Sequence, residues 1–71
     1  MKLRYDKSVD AAYLYIAEEG SAVGPVSTIE CDPKEAGGMI NLDFDSQNML
    51  LGIELIPASK FLSPSLLADS E

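Results

Sequence analysis

Between Gly38 and Ala58 the chain alternates apolar and polar positions, breaks for a short polar stretch and alternates again. In the first run Ile40, Leu42 and Phe44 fall on one face, and Met39, Asn41 and Asp43 on the other. In the second, Leu51, Ile53 and Leu55 oppose Leu50, Gly52, Glu54 and Ile56. A period of two is that of a half-buried strand. The stretch Asp45-Ser46-Gln47-Asn48 between the runs predicts a hairpin loop built on a type I turn. Its last residue must turn left-handed, and Asn tolerates that better than any residue but Gly. With those four residues as the loop, Phe44 faces Met49, Leu42 faces Leu51 and Ile40 faces Ile53, so the apolar sets of both arms meet. A slip of one residue would separate them.

The other elements follow from the same patterning. Leu3 and Tyr5 alternate with Lys2 and Arg4, a short strand with a basic outer face that stops at Asp6. Asp6 to Asp10 reads as a turn in which the Asp6 carboxylate accepts from amides two or three residues on. From Ala11 to Ala17, Ala12, Leu14 and Ile16 oppose Tyr13, Tyr15 and Ala17, and two apolar-compatible faces predict a central strand. A turn at Glu18 to Ser21 follows. Val23 to Glu30 is extended again, and Pro25, which lacks an amide donor, marks it as an edge strand or a bulge. Asp32-Pro33-Lys34-Glu35 has the spacing of a capping box, ended at once by Gly37 and Gly38. After the hairpin, Pro57 to Leu62 predicts a short helix that covers the sheet with Phe61 and Leu62. Ser63-Pro64 repeats a cap-and-start signal. Residues from about 68 to 71 are expected to fray. With no repeat, linker or low-complexity tract, residues 1–71 form one domain. The fold class is α+β: an antiparallel sheet of four or five strands, read as a meander with the 39–56 hairpin at its heart, packed against a short C-terminal helix.

Length and charge then narrow the possibilities. At 71 residues a folded chain buries only about 60% of the surface its unfolded form exposes, so a lone core is marginal. A single cysteine permits no internal disulfide, which leaves self-association as the usual support and predicts a homo-oligomer, a dimer in the simplest case. Twelve acidic residues against five basic ones, with no histidine, give a net charge of −7. That balance argues against nucleic-acid and membrane-surface partners and in favour of a basic protein partner. The lone cysteine and the lack of a signal-peptide or membrane-spanning pattern point to the cytoplasm.

Candidate chemistry is sparse. Asp43-x-Asp45-x-Gln47-Asn48 followed by Glu54 copies the spacing of a calcium-binding loop. Asn48 replaces the required glycine, however, and the flanks alternate like strands. In the expected register Glu54 also lies about 13 Å from Asp43 along its strand, so no metal site is expected. Asp6, Asp10 and Glu54 are the only candidate catalytic carboxylates, for acid–base work or Mg²⁺. The plainer reading makes Asp6 a turn cap, Asp10 the end of that turn, and Glu54 a partner of Arg4 or a tyrosine hydroxyl. Cys31 lies between Glu30 and Asp32, which disfavour its thiolate, and no histidine is present to activate it or a serine. Tyr13 and Tyr15 share the face that shows Gly52 and Glu54. A tyrosine ring over a strand glycine is a packing device, and tyrosines are also common at interfaces; these four residues are the expected binding surface.

The order Tyr5-Asp6, Asp10-Ala11, Tyr13, then Asp43-Phe44-Asp45, Gly52-Ile53-Glu54-Leu55 and Ala58-Ser59 resembles the small prokaryotic family of unknown function typified by YuzE. The resemblance reaches Lys60. It departs from the family pattern at Lys7, where proline is common, at Asn48, where glycine is usual, and at Pro57, where an acid is usual. It implies a compact, mainly β domain with no established activity; no cofactor is expected. The function expected is therefore that of a small acidic interaction protein, a homo-oligomer that binds a protein partner, antitoxin-like at most. The alternative is a small-molecule or metal-dependent enzyme using the carboxylates and a tyrosine.

Overall fold

A computed structural model describes residues 1–17, 24–31 and 37–70. Strands β1 (Lys2–Asp6) and β2 (Ala11–Tyr15) form a tight antiparallel hairpin, with Asp6 opposite Ala11. The Asp6 carboxylate caps the turn, accepting from the Ser8 amide at 3.0 Å and the Ser8 hydroxyl at 2.6 Å. Asp10 closes it in the left-handed region at φ 53°, a conformation that Asp tolerates through local hydrogen bonding. Strands β3 (Ser27–Cys31), β4 (Met39–Phe44) and β5 (Leu50–Ile56) run as a meander. The five strands make one open antiparallel sheet in the order β1-β2-β5-β4-β3.

That order corrects a simple meander in two respects. β3 does not lie beside β2 but at the far edge, and β5 returns to pair with β2 in the middle of the sheet. The reason lies in the side chains. β5 has the longest apolar run and gains most from a neighbour on each side, whereas Ser27, Thr28, Ile29 and Glu30 of β3 are all exposed and suit an edge. The edge position is the one that Pro25 predicted.

The hairpin loop forms at Asp45 to Asn48, with the Asn48 amide donating to the Asp45 carbonyl at 3.1 Å and Asn48 at φ 61°. The register, however, is two residues from the one expected: Leu42 pairs with Ile53 and Ile40 with Leu55. Two local insertions account for it. The left-handed Asn48 brings Asp45 opposite Met49, with a 2.9 Å bond from the Asp45 amide to the Met49 carbonyl. A bulge then leaves Leu51 as an extra residue, since Phe44 pairs with Leu50 but Asp43 pairs with Gly52. One insertion alone would have turned the apolar set of β5 to the wrong face; two restore it. The Leu51 carbonyl released by the bulge accepts from the amides of Ile16 (2.9 Å) and Ala17 (3.0 Å) at the end of β2.

Among the described residues helical structure is confined to a 3₁₀ turn, Ala58–Lys60, and the helix α1, Pro64–Ala68, and these residues are mainly sheet. Ser63 caps α1, its Oγ accepting from the Leu66 amide, with Pro64 in the first turn. Beyond the helix, Ser70 bonds back to the Leu67 carbonyl. The 3₁₀ turn is anchored on Asp10, whose carbonyl accepts from the Ala58 amide at 2.7 Å, and Ala58 is fully buried. Gly38 lets Phe61 and Pro57 close over the start of β4, since a Cβ there would lie 2.8 Å from both and 2.6 Å from the Ile56 carbonyl. Among the described residues no helix is long and apolar enough to cross a membrane. The expected turn at Glu18 to Ser21 and the capping box at Asp32 to Glu35 lie outside the described residues.

Candidate functional site on the polar sheet face

Cross-strand pairing arranges the side chains of the polar face in rows. One row runs Lys2, Tyr15, Gly52, Asp43 and Thr28; the next runs Arg4, Tyr13, Glu54, Asn41 and Glu30. Tyr13, Tyr15, Gly52 and Glu54 are thus immediate neighbours. Tyr13 does not remain in its own row. Its ring leans across Gly52, where any Cβ would collide with the ring and hydroxyl, and its hydroxyl reaches Asp43 Oδ2 at 2.7 Å. The other Asp43 oxygen accepts from the Thr28 hydroxyl at 2.7 Å, so the tyrosine, the carboxylate and the edge strand form one chain of hydrogen bonds over three strands. Tyr15 stacks on Tyr13 with ring centroids 4.7 Å apart and planes tilted by 57°. Glu54 Oε1 accepts from Asn41 Nδ2 at 3.0 Å, and Asn41 Oδ1 is buried with no hydrogen-bond partner.

This geometry sets the chemistry of Tyr13. Partial burial first, then the hydrogen bond to Asp43 and the negative charge of that carboxylate, raise its pKa well above 10.0. A hydroxyl so held stays protonated at neutral pH and acts as a donor; it is not poised as a base.

Asp6 and Glu54 border a shallow recess of about 320 Å³ with Arg4, Tyr13, Val9 and Ala11. Asp10, the third candidate carboxylate, is not in its lining. Asp10 instead accepts from the Tyr5 hydroxyl at 2.9 Å, the Ser59 amide at 3.1 Å and the Ser59 hydroxyl at 2.5 Å. The Ser59 bond is the main cause of a pKa below its ordinary 3.8, and Tyr5 adds to it against the opposing effect of burial. The same bond to Asp10 is the main cause of a raised pKa at Tyr5. Asp10 therefore has a structural role, fastening the β1–β2 turn to the C-terminal segment.

The calcium-like spacing is used up in turn and sheet bonds. Asp45 Oδ1 accepts from the amides of Gln47 (2.8 Å) and Met49 (3.0 Å), as a turn aspartate does. The corrected register places Asp43 opposite Gly52, two residues from Glu54 along β5, so the separation inferred from the expected pairing does not hold. What sets these acids apart is their partners: Tyr13 and Thr28 for Asp43, Asn41 for Glu54. Among the described residues no group of three or more His, Cys, Asp or Glu is placed to hold a metal ion. Cys31 lies beside Ile40, a free and partly exposed thiol on the apolar face. Asn41, Asp43 and Thr28 are members of this site that the sequence pattern does not single out. The period of two does put Asn41 and Asp43 on the face of Gly52 and Glu54, but only the pairing of β3 brings in Thr28.

The family model for DUF2283, proteins of unknown function, matches residues 2–59. The chain belongs to this family. The DUF2283 match contains all five strands, the Tyr13–Asp43–Thr28 chain and Ser59, and it ends before α1. No curated protein and no solved structure matches the chain.

Proposed function

We propose that this DUF2283 protein is a small acidic interaction protein of the cytoplasm that offers the polar face of its sheet to a basic protein partner. The observation that carries the reading is the distribution of charge. Every charged residue of the five strands, namely Lys2, Arg4, Asp6, Glu30, Asp43 and Glu54, lies on the polar face, four acidic against two basic. Around the recess, Asp6 and Glu54 supply carboxylates and Tyr13, with the Tyr15 ring packed against it, supplies rigid aromatic surface of the kind enriched in interfaces. With Tyr13 held protonated and no histidine in the chain, the face is better suited to recognition than to proton transfer.

The test neutralises the acids of the recess without removing their hydrogen-bonding capacity, in the double variant D6N/E54Q. Titration with a Lys/Arg-rich peptide should show binding to the wild type that weakens with salt, and weaker binding with a shallower salt dependence in the variant. Binding indifferent to both changes would contradict the reading. A rise in Tm with a divalent cation, abolished by the same substitutions, would support the carboxylate–tyrosine enzyme instead.

A further inference from the structure

We propose that the other face of the sheet, the apolar one, packs against the same face of a second copy of this chain. Pairing places Leu3, Leu14, Ile53, Leu55, Leu42 and Ile40 together there, and no charged strand residue joins them. A sheet with one apolar face needs a second layer, and among the described residues only the 3₁₀ turn and α1 stand outside the sheet as regular elements that could supply it. Five helical residues are about 7.5 Å long and 10 Å wide, a footprint of roughly 75 Å². Five strands spaced by about 4.8 Å and about 17 Å long present on the order of 400 Å². The exposures agree with that mismatch. Among the described residues no large side chain is fully buried, the six residues of that face are only half-buried, and Ile29 beside them on the edge strand is 54% exposed.

The size of the deficit fits one occupant. A folded monomer of 7.6 kDa is expected to expose about 4,300 Å², whereas this chain exposes 4884 Å². The excess, roughly 600 Å² summed over the whole chain, is of the same order as the roughly 800 Å² that each partner contributes to an interface of standard size. The radius of gyration, 12.3 Å against about 11 Å expected, is extended in the same sense. Charge then selects a second copy. Two chains of net charge −7 repel through their polar faces, but their apolar faces bring no charge together. A strongly charged partner on that face would find no counter-charge and would have to bury its own. A two-fold pair, like face on like face about 10 Å apart, completes a β-sandwich and leaves both polar faces outward. This inference stands apart from the proposed function, because it concerns the opposite face.

Light scattering on a sizing column tests it with residues that tolerate change. Ile29 is exposed, lies on the edge strand and pairs with Leu42 on the apolar face, while its neighbour Glu30 pairs with Asn41 on the polar face. The wild type should run at twice 7.6 kDa. I29K should weaken the dimer by about tenfold or more, and E30K should leave it intact. If I29K loses its sheet circular dichroism, I29T, which keeps the β-branch, decides by the same readout. A monomeric wild type would overturn the proposal. A dimer insensitive to I29K and I29T would overturn it too, and one broken by E30K alone would place the contact on the polar face.

Discussion

At the scale of single residues, Gly52 and Tyr13 depend on each other. Tyr13 can reach Asp43 only because position 52 has no side chain, and its ring in turn covers the bare backbone. G52A should therefore destabilise the fold by about 1–3 kcal/mol, the usual cost of forcing a group into filled space, measured by urea unfolding. In the Y13F background the ring must still move, so most of that cost should persist. The association of a strand glycine with the tyrosines of one face was legible from the period of two. Which tyrosine covers the glycine was not, because Tyr15 is the direct partner of Gly52 and the lean of Tyr13 is fixed by a carboxylate on a third strand. Asp10 shows the same limit: its turn position is plain in the sequence, but its bonds to Ser59 span 49 residues.

At the scale of elements, the β4–β5 hairpin shows what a pattern specifies and what it leaves open. Alternation fixed the faces of both arms and the place of the turn, and it was silent on how many residues the turn and bulge insert. A shift of two residues keeps Ile53 and Leu55 on the face of Ile40 and Leu42, so binary patterning cannot detect it; only Leu50, which the bulge brings opposite Phe44, leaves the face that alternation assigns to it. Asn48 carries the first insertion. N48G should leave stability within a few tenths of a kcal/mol or raise it slightly. N48A, which puts a Cβ without a compensating amide at φ 61°, should cost about 1–2 kcal/mol in thermal unfolding. The place of β3 was legible as an edge from Pro25, whereas the return of β5 to β2 depends on competition among strands for the middle of the sheet, which no local window expresses.

At the scale of the whole molecule, the titrating groups predict how stability follows pH. The depressed pKa of Asp10 means that its contribution is present above 3.8, its ordinary value, and is lost as pH falls through the lower folded value. Tm should drop on that acid limb, and D10N, which tolerates the same backbone, should start lower and flatten it. Tyr13 and Tyr5 have raised values, so their contribution is present below 10.0 and is lost as pH rises from there through the folded values. Y13F should remove the Tyr13 share of that alkaline limb, read as Tm against pH.

At the same scale the two proposals give the faces of the sheet different roles: an apolar face closed by a second copy and a polar face kept for a partner. Isotope-filtered NOE measurements on a mixture of labelled and unlabelled chains test this division most directly. Intermolecular contacts are expected among the methyl groups of Leu14, Leu42 and Ile53, with none to the rings of Tyr13 and Tyr15. Intermolecular contacts to those tyrosine rings, or no intermolecular contacts at all, would contradict it.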